Sequence, residues 1–155
     1  MSCSSGRRDK SCRDKSCQRY YNMNPQILAA GSTLQLEIAG ARVVDSGLSI
    51  ETQPQSFTTL KTGLYHLAAD VVINASAAGD VTLQFLMDGV VLPCTVRTFT
   101  LAATGSREIH TETDLELTGC CCDVTHSFTL VMVSPAAGAG TVTQVCAGII
   151  KEANV

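Results

Sequence analysis

The sequence has no tryptophan, and its aromatic residues amount to only 5%. Its apolar content is therefore carried by Val, Leu, Ile and Ala flanked by many Thr, a mixture that suits a pleated sheet better than a helix bundle. Charge is also scarce. At 16% charged and 45% hydrophobic, the chain is apolar for a soluble monomer, so part of its apolar surface is expected to lie in subunit contacts. No run is long and apolar enough to span a membrane. The N-terminal segment has no apolar stretch of the kind a secretory signal needs, so export by the general secretory route is not expected. There is no Gly-X-Y repeat, which sets aside a collagen-like stalk.

What is present divides the chain in two. Residues 1–24 form a short, polar and charged segment, and they contain RDKSC twice in tandem, at Arg8–Cys12 and Arg13–Cys17. The first 19 residues carry six basic groups (Arg7, Arg8, Lys10, Arg13, Lys15 and Arg19) and two acidic ones, Asp9 and Asp14. That is a net +4 on a chain of −3, so the remainder carries −7. Composition thus predicts a flexible basic arm over residues 1–24 and a folded acidic body over 25–155. The arm of one copy would be attracted to the body of another.

The body reads as successive strands. Thr33–Ala39 alternates, with Leu34, Leu36 and Ile38 on one side. Leu48–Thr52 and Ser56–Leu60 are short candidates separated by Pro54. From Gly63, Tyr65, Leu67, Ala69, Val71 and Ile73 line one face, with His66, Asp70 and Asn74 on the other. Val81, Leu83, Phe85 and Met87 repeat the pattern up to Asp88-Gly89, a strong hairpin signal. Val90–Ala102 is expected to return, with Pro93 at an edge or bulge. Ser106–Thr118 sets Glu108, His110, Glu112, Asp114 and Glu116 against Ile109, Leu115 and Leu117. Cys120–Cys122 falls in a turn. Phe128–Val133 is apolar on both faces, which predicts a strand covered on both sides and makes Phe128, Leu130 and Met132 candidates for a subunit interface. Thr141–Ile150 closes the body. The fold class is all-β: an antiparallel sandwich or jelly roll of about eight to ten strands.

Eight cysteines are the main chemical resource. Cys120, Cys121 and Cys122, with His126 and Cys146, invite a zinc site, but consecutive strand residues point to opposite faces and no two-residue-separated pair is present. His66, His110 and His126 lie outside any nucleophile-elbow or papain-type context, so no catalytic residue is assigned. The acidic alternation Glu108–Glu116 has no Gly-containing loop to gather it around calcium; it reads as a solvated outer face and a docking strip for the basic arm. Two aspartates dilute the arm, and it has no aromatics before Tyr20, so nucleic acid is not expected as a partner. Neither metal nor cofactor is assigned. Cys3, Cys12, Cys17, Cys120, Cys121 and Cys122 are left as candidates for intersubunit disulfides, with Cys94 and Cys146 as further disulfides or buried thiols.

Gly63-Leu64-Tyr65 opening a long strand, Leu83–Met87 running into Asp88-Gly89, and Ala147-Gly148-Ile149-Ile150-Lys151 near the C-terminus resemble the jelly roll of tumour necrosis factor and complement globular heads, in its bacterial and phage versions. The resemblance covers residues 31–153. It implies a ten-stranded, trimeric domain that buries one sheet around a threefold axis. With a short cysteine-bearing arm in place of a stalk, the whole is similar to the subunits of bacterial endospore appendages. The function this implies is a non-enzymatic, self-assembling subunit of an extracellular fibre on a spore or virion surface, anchored to itself and to a coat or surface protein. The alternative is a phage fibre knob or decoration protein that binds a receptor or glycan.

Overall fold

The computed structural model describes residues 16–119 and 123–153. Its strands, in chain order, are β1 (Cys17–Asn22), β2 (Gln26–Leu28), β3 (Thr33–Gln35), β4 (Ala41–Ser46), β5 (Ile50–Gln53), β6 (Ser56–Lys61) and β7 (Gly63–Ala77). There follow β8 (Gly79–Met87), β9 (Val90–Val91), β10 (Arg97–Leu101), β11 (Gly105–Leu117), β12 (Asp123–Val133) and β13 (Ala139–Ala153). They form two antiparallel sheets. One runs β11-β7-β13-β1-β4, with β2 also on β13; the other runs β10-β8-β12-β6-β5, with β3 on β12 and β9 on β8. The fold is a β-sandwich jelly roll, as the alternation predicted.

Alternation explains the core. On β7, Tyr65, Leu67, Ala69, Val71 and Ile73 are buried, while His66, Ala68 and Asp70 stand on the opposite side. They meet Val81, Leu83 and Phe85 of β8 and Phe128, Leu130 and Met132 of β12 in one apolar cluster. The buried Tyr65 hydroxyl is satisfied by donating to the Lys61 carbonyl at 2.7 Å. The Asp-Gly turn is as expected: Asp88 and Gly89 both take positive φ, 51° and 82°, and Met87 pairs with Val90. Asp88 also accepts from the Ser127 amide at 2.8 Å and bonds His126 Nδ1 at 2.7 Å, so the turn is tied to β12. Those bonds, His126 first, hold its carboxyl below the ordinary carboxylate range.

Four expectations are corrected. The arm does not reach residue 24: Cys17–Asn22 is an interior strand, paired on one side with β13 and on the other with β4. Its inward side chains are polar, so hydrophobic pattern gave no sign of it. Gln18 is buried and donates to the Ile50 carbonyl at 2.9 Å and to Asp45 Oδ1 at 2.8 Å, while its own Oε1 accepts from Thr52. Hydrogen bonding replaces apolar contact there. Second, Phe128, Leu130 and Met132 are not an interface: each is 0% exposed inside the chain's own core. The other side of β12 is apolar because the strand is central in its sheet, with Val131 set between Gln35 and Gln84. Third, Val90–Ala102 is not one strand. Pro93–Thr95 forms a short 3-10 turn that holds Cys94 exposed, and buried Thr95 pins it by accepting from the Phe85 amide and donating to the Leu92 carbonyl. Fourth, the Thr33–Ala39 strand ends at Gln35, although Leu36 and Ile38 remain fully buried.

Candidate functional site

The outer face of the β11-β7-β13-β1-β4 sheet gathers a dense group of titratable side chains. Register fixes who meets whom, because directly opposed residues of an antiparallel pair point to the same side. Three rows cross four strands: Tyr21–Cys146–Asp70–His110, Arg19–Gly148–Ala68–Glu112 and Cys17–Ile150–His66–Asp114. The middle row is small at its centre. Gly148 and Ala68 floor a depression of about 240 Å³ whose walls include Cys17, His66, His110 and Cys146. A side chain at Gly148 would be crowded, since a Cβ there lies only 3.2 Å from the Gln18 carbonyl oxygen and 3.3 Å from Arg19 Cγ.

Along one side of the depression runs an alternating chain of carboxylates and imidazoles. Asp114 Oδ1 lies 2.8 Å from His66 Nδ1, and His66 Nε2 lies 3.5 Å from Glu112 Oε2. The same Glu112 oxygen is 3.1 Å from His110 Nε2, and His110 Nδ1 is 2.7 Å from Asp70 Oδ1. Both nitrogens of His110 face carboxylate acceptors, an arrangement suited to the imidazolium, which is a donor at both. Partial desolvation pulls its pKa down, but the bonds to Asp70 and Glu112 and the charges of both outweigh it and set the value above the ordinary 6.5.

The sign of the linkage follows. A raised folded-state pKa stabilises the fold fully below 6.5, and the contribution is lost as pH climbs through the higher folded value. His110→Gln is therefore expected to lower the melting temperature most in mildly acidic buffer and to match the wild type in alkaline buffer. The difference should stay below about 1 kcal/mol at so exposed a pair. Thermal denaturation of both proteins across pH checks it, and a gap that widens toward alkaline pH would refute the assignment.

Sequence reasoning found both halves of this cluster without joining them. His66 and Asp70 were on one polar face and His110, Glu112 and Asp114 on another; the β7–β11 pairing puts them together. The remaining candidates are scattered. Arg19 is exposed on β1, and its stem packs over Gly148. Cys17 and Cys146 are half-buried free thiols on this face and Cys94 is a free exposed one. Burial pushes the Cys17 thiol up, against a smaller pull from the Arg19 charge, which keeps it a poor nucleophile near neutrality. Cys3, Cys12, Cys120, Cys121 and Cys122, with Arg7, Arg8, Lys10, Arg13 and Lys15, lie outside the described residues.

No protein-family model and no curated protein matches the sequence. Solved structures do match the fold. Murine APRIL superposes with a TM-score of 0.62 at 15% identity, covering 89% of this chain and 99% of that one. The globular domain of zebrafish complement 1qA protein gives 0.56 at 10% identity, over 86% and 94%. The class of protein is thereby set at the level of architecture: a jelly roll like those of tumour necrosis factor-family and complement globular heads.

Proposed function

We propose that this chain is a non-enzymatic structural subunit that associates with copies of itself through the outer face of the β11-β7-β13-β1-β4 sheet, as a trimer. The observation that carries the reading is the large apolar side chains left exposed on that face. Tyr21, Val44 and Ile150, from three neighbouring strands, are 37%, 39% and 42% exposed among the charged side chains of that face, and Leu64, Ala68 and Val72 of β7 are half-buried on it. Large apolar side chains exposed on a sheet face gain by being covered. The likeness to APRIL and complement heads supports a globular unit of assembly or binding. On this reading the segment before β1, with Cys3, Cys12 and the first RDKSC, then links trimers into an extracellular fibre or spore-surface appendage. Oxidation would lock the links, and a coat or surface protein would anchor the fibre.

The test has two parts. In sedimentation velocity, the wild type is expected as a trimer and Ile150→Asp as a monomer over at least a tenfold range of concentration, that is, weakened by more than about 2.7 kcal/mol per trimer. Unchanged sedimentation of the variant would sink the assembly face. In negative-stain microscopy under oxidising conditions, the full chain is expected to form filaments and a Δ1–15 truncation only discrete particles. Identical discrete particles from both would reject the fibre and favour a receptor- or glycan-binding knob.

A further inference from the structure

We infer that His66, Asp114 and Glu152 form a binding site for a divalent transition-metal ion, zinc foremost. The three come from three adjacent strands, β7, β11 and β13, and each offers a ligand atom within 4.8 Å of the others. The sheet itself sets this up. Asp114 is directly opposite His66 in the β11–β7 register. On the other side, the β13–β7 ladder is irregular between Lys151 and Ala153, so Glu152 stands outside the regular pairing. A bulge of this kind re-aims a side chain, and it occurs here at the one acidic residue of β13.

One imidazole and two carboxylates make a mixed nitrogen and oxygen donor set. That combination suits zinc and its first-row neighbours better than magnesium or calcium, which prefer oxygen alone. Both carboxylates are exposed and free to rotate the short distance that 2.0–2.2 Å bonds require. The ion takes the place now spanned by the Asp114–His66 Nδ1 contact. The opposite nitrogen of His66 then keeps its proton and faces Glu112 Oε2 at 3.5 Å, and Glu112 is itself held by His110. A carboxylate behind a ligating imidazole fixes the ring and raises its basicity. Electrostatics favour the ion as well. Asp70, Glu108, Glu112, Asp114, Glu116 and Glu152 lie on these three strands, and a dication relieves their mutual repulsion. The site needs only this chain's own strands and does not depend on the assembly proposed above.

Cobalt(II) is the probe, because thiolate ligation shows as intense near-ultraviolet charge transfer that nitrogen and oxygen ligands lack. Titrated into the reduced full-length chain, it is expected to bind one equivalent with visible bands and no thiolate signal, and zinc is expected to displace it. His66→Ala should remove that equivalent. Glu152→Gln, which keeps size and fold, should weaken it at least tenfold, and Glu112→Gln by 10–100-fold through loss of orientation. His66→Gln serves if the alanine variant loses its native circular dichroism. The inference is overturned if bound cobalt is all thiolate-ligated, if none binds, or if natively folded His66 variants bind as the wild type does.

Discussion

Removal of residues 1–22 is expected to leave the chain without a cooperative unfolding transition, whereas removal of residues 1–15 should leave its thermal midpoint within a few degrees of the wild type. The difference between the two truncations is β1 and the residue before it. Six consecutive residues of β1 pair with Val145–Ile150 of β13, and its other edge carries β4. Deleting it strips the neighbour from β13 and leaves β4 with no strand to pair with. Buried polar groups are stranded at the same time. The Ile50 carbonyl loses the Gln18 amide, the Ser49 amide loses the Ser16 hydroxyl at 2.8 Å, and the Lys151 amide loses the Ser16 carbonyl. Each such loss costs about 1–3 kcal/mol, and several together match the whole stability of a typical domain, roughly 5–15 kcal/mol. Circular dichroism melts of both truncations give the answer. A Δ1–22 protein that melts like the wild type would return Cys17–Asn22 to the arm.

That boundary shows where the sequence was legible and where it was not. Strands that bury aliphatic side chains on one face announce themselves: Leu67, Val71 and Ile73 are spaced by the pleat, and Asp88-Gly89 marks the turn that follows β8. Strand β1 makes no such announcement. Its inward positions are Gln18, Tyr20 and Asn22, held by hydrogen bonds to residues far along the chain, and period-two hydrophobicity is blind to a polar strand. Phe128–Val133 misled in the opposite way. Apolarity on both faces suggests a subunit contact, but a central strand is shielded on its outer side by its own sheet neighbours. The His66–Asp114 and His110–Asp70 contacts join residues 48 and 40 positions apart. Each half was visible as a polar face, and only the strand order could make them neighbours. That limit is general: alternation tells which way a side chain points, and non-local pairing tells what it meets.

The corrected role of Phe128 carries the other large effect. Its ring is wholly buried, faces Phe57 and Met87 across the neighbouring strands, and belongs to the cluster that joins the two sheets. Phe128→Ala removes most of that ring's buried area and leaves a cavity that paired strands cannot easily collapse into, so about 3–5 kcal/mol of stability should be lost. A residue in a subunit contact would behave differently, because its removal would weaken association and leave the isolated subunit as stable as before. The two roles separate in the Ile150→Asp background, at concentrations where sedimentation shows a monomer. Urea denaturation there should show the full loss for Phe128→Ala, with the midpoint shifted and independent of protein concentration. If the substitution is silent in the monomer and costly only in the oligomer, Phe128 belongs to an interface and the sandwich does not close on itself as described.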